Sequence, residues 1–165
     1  MLKFILATLM LLITLPAYGQ SGGSWKRRVS VDRSTRERTT AISTLSTNLV
    51  TFFGRKGRAE LEIQTYLSTP GLVVHTFAKT VPGQFPTVNC WLDNEPIDKE
   101  GVWRRSEDSN TTLVFLASNE MISKMLKAKT LSVEFKGNDD ENHKATFNIQ
   151  GLAAHLNFLE LKIKK

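Results

Sequence analysis

Histidines are the residues of this chain best suited to bind a metal or to move a proton near neutral pH. His143 follows the acidic stretch 139–141, so imidazole and carboxylate groups could hold a divalent cation there. The spacing matches neither an EF-hand loop nor an HExxH site. His155 has no acid or cysteine close by in sequence, and His75 stands alone in "VVHTF". We therefore predict no metal site, an exposed polar loop around His143, and structural or surface roles for the other two.

A pair of carboxylates is the second candidate for chemistry. Glu60 and Glu62 occupy alternate positions of "AELEIQTYL", which places them roughly 7 Å apart on one face of a strand. Paired carboxylates of glycosidases have a similar separation. Alternating charges are also typical of the solvent face of a strand, which is the interpretation we adopt. No nucleophile elbow, Cys–His pairing or phosphate loop is present, so we predict no catalytic residues and no cofactor, with an uncharacterised hydrolase as a third hypothesis.

The basic residues are a further candidate site. The chain has 22 Lys and Arg against 16 Asp and Glu, and many of the cations cluster near residues 26–38. Such a cluster can be ordinary solvated surface or can attract an acidic protein, anionic lipid or lipopolysaccharide phosphate. The charge argues against an inhibitor of lysozymes, since those enzymes are commonly basic. The candidate partner-binding residues are Lys26, Arg27, Arg28, Arg36, Arg38, Arg104 and Arg105.

The first nineteen residues have the pattern of a secretory signal peptide. Lys3 precedes an apolar run of about 12 residues, and small residues stand at positions 17 and 19. A membrane-spanning helix would need roughly 20 apolar residues. We predict cleavage between Gly19 and Gln20, a flexible leader over 20–24 and one domain over 25–165. The protein would then be periplasmic or secreted, without a transmembrane segment and away from nucleic acid.

Cys90 is the only cysteine, so no intramolecular disulfide can form. It alternates with Val88 and Leu92 in "VNCWLD", which predicts that its side chain points inward. A buried, inert thiol is the expected state, and a reactive or intermolecularly paired thiol is the alternative.

Short segments with period-two hydrophobic alternation dominate the rest of the chain. With turn residues between them, they predict a mainly β fold, either an antiparallel β-sandwich or a strongly bent sheet. In the last of them we expect Phe147 and Ile149 in the core, with Thr146 and Asn148 facing out. The predicted strands are 39–46, 49–53, 59–67, 71–78, 87–93, 102–105, 111–117, 131–135 and 145–149.

One segment has a helical period instead. Apolar residues recur on one face over 119–128, in a late crossover of the chain. Ser118 or Asn119 can cap the helix, and Glu120 suits its positive end. The apolar stripe is expected to face the core, and a partner-binding face is the alternative. "GLAAHL", residues 151–156, predicts one more helical turn.

Three quoted segments resemble the TagO (VasI) family of small exported proteins associated with type VI secretion systems. They are "VNCWLDNEP", "GVWRRSEDSNTTLVFLASNEMISKMLKAKTLSVEF" and "KATFNIQGL", which agree with the family pattern in order and spacing over residues 86–156. Thr65 and Cys90 depart from it, since the family often has cysteine at the first position and an aromatic or other residue at the second. The resemblance implies a non-enzymatic periplasmic accessory role and supplies no catalytic residues.

Two functions stand ahead of the hydrolase hypothesis. The leading hypothesis is an exported periplasmic accessory or interaction protein whose partner is another envelope protein or an acidic surface. The alternative is a binder of anionic glycolipid or acidic protein at the envelope surface through the basic N-terminal residues.

Overall fold

The computed structural model describes residues 24–31, 38–52, 54–66, 69–76, 83–97, 102–106, 109, 111–137 and 139–159. Residues 1–23 lie outside this range, so the signal peptide and its cleavage between Gly19 and Gln20 stay predictions. No helix among the described residues is long and apolar enough to span a membrane. The strands are β1 Lys26–Val31, β2 Arg38–Leu45, β3 Val50–Phe52, β4 Arg55–Gly57, β5 Glu60–Tyr66, β6 Thr69–His75, β7 Val88–Leu92, β8 Glu95–Pro96, β9 Arg104–Arg105, β10 Thr112–Leu116, β11 Thr130–Lys136 and β12 Asn142–Asn148.

The strands form two main antiparallel sheets and a small hairpin. The large sheet has the order β1-β2-β5-β6-β10-β9, the small sheet has the order β12-β11-β7-β8, and β3 pairs with β4. This arrangement confirms the predicted mainly β, antiparallel fold class. Three strands were not predicted, namely β1, β4 and β8, because they are short or too polar to show a clear alternation.

One hydrophobic core lies between the two sheets. In the large sheet, Ile42 is level with Ile63, Leu72 and Phe115 across four adjacent strands. In the small sheet, Phe147 is level with Leu131 and Leu92. Both rows belong to a single cluster of buried side chains, so the inner faces of the sheets pack on each other as in a sandwich. Phe147 and Ile149 are buried as predicted.

Two of the segments that link the large sheet to the small sheet lie entirely within the described residues. After β2, Ser46 forms an isolated bridge with Phe147, which brings this segment to the edge of the small sheet. After β10, helix α1 (Asn119–Met125) leads to β11. Ser118 accepts a hydrogen bond from the Met121 amide and caps the helix, and Met121, Ile122 and Met125 are buried. The predicted helix and its core-facing stripe are therefore confirmed.

The C-terminal part of the described chain is helical. Helix α2 spans Ala153–Leu156 and a 3-10 turn spans Asn157–Leu159. Gly151 has φ +82° just before them, a conformation that glycine adopts without strain. Leu152, Leu156 and Leu159 are buried in the core. This confirms the helical turn predicted for 151–156.

Candidate functional site

The predicted cations do not form one continuous surface. Strand β1, with Lys26, Arg27 and Arg28, is one edge of the large sheet, and β9, with Arg104 and Arg105, is the opposite edge. One register row runs across all six strands from Lys26 to Arg104. At about 4.8 Å per strand, these residues are about 24 Å apart. Arg36 lies outside the described residues.

Arg28 contacts a buried carboxylate on the outer face of the large sheet. Its guanidinium is ion-paired and hydrogen-bonded to Glu62. The Glu62 side chain is 5% exposed and that of Arg28 is 61% exposed. The prediction that Glu62 lies on a solvent face is therefore wrong. Strand pairing brings Arg28 beside it, and the paired cation offsets part of the free-energy cost of burying a carboxylate.

A line of polar side chains continues from Glu62 across the sheet. His75 Nε2 lies 3.7 Å from the Glu62 carboxylate, and His75 Nδ1 lies 3.2 Å from the Thr112 hydroxyl oxygen. Thr112 in turn donates to Ser109 at 3.2 Å. A catalytic relay needs an acid hydrogen-bonded to the imidazole and an accessible hydroxyl. The distance from His75 to the Glu62 carboxylate is too long for a hydrogen bond, and the Thr112 hydroxyl is buried. These polar side chains therefore do not meet the geometry of a relay. Their contacts connect strands β5, β6 and β10.

Arg27 points to the other side of β1 and contacts the C-terminal helical segment. Its Nε donates to His155 Nδ1 at 3.2 Å, and a terminal nitrogen donates to the Ala154 carbonyl at 3.3 Å. Its guanidinium also lies 5.3 Å from the centre of the Phe158 ring. Burial lowers the pKa of His155, and the positive charge of Arg27 lowers it further. A neutral imidazole suits this contact, because Nδ1 must accept the hydrogen bond.

Trp25 strengthens the same attachment. Its indole N–H donates to the Gln150 carbonyl at 3.1 Å. Its ring lies 6.3 Å from the His155 ring, centre to centre. The start of the described chain is thus fastened to the segment that follows β12.

The cations at the opposite edge contact residues 84 and 85. The guanidinium of Arg104 lies 5.6 Å from the centre of the Phe85 ring, and the Arg105 amide donates to the Gln84 carbonyl at 3.0 Å. Phe85 is exposed. A cation over an exposed aromatic ring is a weak, solvent-accessible contact, and the Gln84 bond covers part of the β9 edge.

His143 is not in an exposed loop, contrary to the prediction. It lies in β12 opposite Phe135 and is buried. The loop prediction failed because the turn is tighter than the polar sequence suggests, with Gly137 and Glu141 already bonded to each other. The ligand atoms of Asp139, Glu141 and His143 lie within 4.8 Å of one another.

Two of these side chains, Asp139 and His143, stabilise the turn. His143 Nε2 lies 2.8 Å from Asp139 Oδ1, and the same oxygen accepts the Glu141 amide at 3.3 Å. The hydrogen bond from His143 lowers the pKa of Asp139. A Cβ at Gly137 would lie 2.6 Å from His143 Nε2, so the loop is packed directly against the ring. The cluster closes the β11–β12 turn.

Cys90 faces inward as predicted, since it is level with the core residues Val133 and Ala145. It is half-buried, and burial raises the pKa of its thiol to about 12, against an opposing hydrogen bond from Trp103. A thiol with so high a pKa carries almost no thiolate at neutral pH, so it is a poor nucleophile.

Among the described residues, three of the four edge strands of the main sheets are covered or short. Asn48 lies along β12, where its side chain accepts the Thr146 amide at 2.8 Å and donates to the Lys144 carbonyl at 2.7 Å. Strand β8 has two residues and ends with Pro96, which has no N–H to donate. Strand β9 also has two residues and is bonded to Gln84.

Strand β1 is the exception. It has six residues, Lys26–Val31, and all six are exposed. Within the described residues, it pairs with β2 alone. Sequence reasoning found its charges but not its strand. The alternation of Val29 and Val31 is the signal that could have shown it.

No family model matches the chain, and no curated protein matches it in sequence. A solved structure is similar in fold, the invasion associated protein B of Bartonella henselae. The two share 12% sequence identity with a TM-score of 0.55, over 85% of this chain and 92% of that one. At this identity the likeness shows a common β-rich fold, and the resemblance to TagO proteins is not supported by a family match.

Proposed function

We propose that this chain is an exported, non-enzymatic interaction protein of the cell envelope that binds a protein partner through strand β1. The observation that carries the proposal is the basic edge of the large sheet at Lys26–Val31, which no other described strand covers, while the other edges are covered or short. An exposed edge of this length offers backbone hydrogen bonds to another chain, and natural β-proteins normally block such edges.

Two further observations support this proposal. Residues 1–19 have the composition of a signal peptide, which would place the domain in the periplasm or outside the cell. A protein of similar fold is named as invasion-associated, and this name is compatible with the interaction role that we propose for this chain. The resemblance to TagO proteins over residues 86–156 makes a type VI secretion system the setting we propose.

The polar groups with catalytic potential are occupied in holding the fold. Glu62 is bonded to Arg28, and Asp139 to His143. The backbone of β1 can form ladder hydrogen bonds with an extended peptide, which a glycolipid cannot supply. We therefore place a protein partner ahead of the glycolipid.

Cell fractionation with intact-mass measurement tests the export. We expect a periplasmic or secreted chain that begins at Gln20. The variant with both Leu11→Arg and Leu12→Arg should stay in the cytoplasm at full length, because the apolar run is interrupted. A wild-type chain found in the cytoplasm with residues 1–19 still attached would overturn the proposal.

Crosslinking in intact cells, followed by capture and mass spectrometry, tests the interaction. We expect an envelope protein to be recovered with the wild-type chain and lost with the export-blocked variant. Recovery of secretion-apparatus components would support the type VI setting. Recovery of no protein above the level of the export-blocked control would contradict an interaction role.

A further inference from the structure

We propose that the outer edge of β1 binds an extended segment of the partner in which acidic and β-branched apolar residues alternate, so that the segment becomes a seventh strand of the large sheet. This inference rests on the proposed function and adds the chemistry of the partner. It depends on the backbone of β1, on the charges beside it and on the two faces of the strand.

The backbone of β1 supplies the first part. In an antiparallel pair, alternate residues bond to one neighbour, so about three of the six residues of β1 direct their N–H and C=O groups away from β2. Among the described residues, no strand pairs with that side. Main-chain hydrogen bonds of this kind give affinity when a peptide adds to a sheet edge.

The charges determine which strand can add. Lys26, Arg27 and Arg28 are consecutive, and β1 contains no acidic residue. A second copy of the same strand has no acidic residue to offer these cations, and registers that overlap the two basic stretches place like charges opposite one another, which is destabilising. An acidic strand would be attracted instead, so we assign a partner segment rather than self-association.

The two faces of β1 refine this assignment. Strand alternation places Lys26, Arg28 and Ser30 on the outer face of the sheet, and Arg27, Val29 and Val31 on the inner side. Val29 is 45% exposed and Val31 is 58% exposed. Carboxylates on one face of the added strand would meet Lys26 and Arg28. Valine or isoleucine on its other face would cover Val29 and Val31.

Contacts inside the chain hold two of the cations beside the edge. Arg28 is bonded to Glu62, and Arg27 is bonded to His155. Side chains that are already positioned lose less freedom when a ligand binds. Lys26 makes no ion pair within the described residues, so its charge is available to a carboxylate, and it is the cation that can be changed without disturbing the fold.

Peptide binding tests the inference directly. The probe is a blocked, fluorescent eight-residue peptide of alternating glutamate and valine, and its anisotropy is followed as purified full-length protein is added. We expect saturable binding that weakens as salt rises, because exposed charges are screened over about 8 Å at physiological ionic strength. A peptide with lysine in place of each glutamate should not bind. A peptide methylated at every amide keeps its charges but cannot donate ladder hydrogen bonds, so it should not bind either.

Protein variants locate the site. Lys26→Glu should weaken peptide binding about fivefold or more, since one cross-strand attraction becomes a repulsion. Lys56→Glu, an exposed cation of β4 in the separate hairpin, should leave binding unchanged and is the matched control. Amide hydrogen exchange should slow in β1 when the peptide binds, and not in β9.

Several results would overturn the inference. Equal binding of the methylated peptide would mean that charge alone acts, without strand addition. The inference would also be refuted if the alternating peptide did not bind. It would be refuted as well if Lys26→Glu and Lys56→Glu lowered the affinity for that peptide equally. An exported protein that captures its envelope partner regardless of Lys26→Glu would refute this inference and leave the exported, interacting role standing. A cytoplasmic, unprocessed chain that still binds the peptide would refute the proposed function alone.

Discussion

Asp93 and Thr130 join the β7–β8 turn to the start of β11. The Asp93 carboxylate accepts the Thr130 amide at 2.8 Å and its hydroxyl at 3.1 Å, and the Asp93 amide donates to the Thr130 carbonyl at 3.2 Å. The same carboxylate accepts the Lys129 amide. Asp93 and Asn94 both have positive φ, as a two-residue hairpin turn of type I′ requires. One aspartate therefore forms the turn and fastens it to the neighbouring strand.

Asp93→Asn should lower the stability of the protein above pH 4, with a smaller effect in acid. Hydrogen bonds from the Lys129 and Thr130 amides lower the pKa of Asp93. A carboxyl whose pKa is lower when folded stabilises the fold above its unfolded pKa, and this contribution is lost as pH falls through the folded value. Urea unfolding at pH 7 and at pH 3 measures the difference. Glu95→Gln is the control, and an equal effect of Asp93→Asn at both pH values would contradict the prediction.

Arg28→Ala should destabilise the protein by about 1–3 kcal/mol, because it leaves the buried Glu62 carboxylate without its cation. The double variant Arg28→Ala with Glu62→Gln should recover part of this loss, since no unpaired charge is then buried. Urea unfolding of both single variants and the double variant gives the coupling. Lys26→Ala is the control and should change stability by less than about 0.5 kcal/mol. If the effects of Arg28→Ala and Glu62→Gln simply add in the double variant, the pairing of these two residues is refuted.

Stability should fall on acidification from about pH 7 to pH 5 because of His155. Its pKa is lowered in the folded protein, so the unfolded chain binds a proton first as pH decreases. The stabilisation is therefore present above the unfolded pKa of about 6.5 and is lost as pH falls toward the folded value. Thermal unfolding of wild type and His155→Gln across this range measures the effect. The slope with pH should be shallower in the variant, and identical slopes would exclude His155 as the cause.

Phe147→Ala should cost about 3–5 kcal/mol, since its ring is fully buried between the sheets. Asn148→Ala should cost about 0.5–1 kcal/mol, because its side chain is half-buried and accepts the Gln150 amide at 3.0 Å. Urea unfolding separates the two. Equal midpoints would mean that the register of β12 is wrong.

Local patterns in the sequence determined the type and inward face of most elements. Alternation placed Phe147, Ile149 and Cys90 toward the core, and a helical period placed the buried stripe of α1. These predictions succeed because side-chain direction follows from the backbone geometry of a single segment. The polar strand β1 was missed, since its alternation covers only two valines.

Tertiary structure alone decided which polar residues meet. Arg28 and Glu62 are adjacent because β1 and β5 both pair with β2. The register between such distant strands cannot be predicted from the sequence of either strand alone. For the same reason Glu62, expected in solvent, is buried beside a cation, and His143, expected in a loop, lies in a ladder with Phe135. Alternation along β1 places Arg27 and Arg28 on opposite faces of the sheet. Strand order places both at the opposite edge of the sheet from Arg104. Pairing between distant segments is set by how the whole core packs. Only the folded chain therefore shows that Lys26, Arg27 and Arg28 lie on an edge strand whose outer side no other described strand covers.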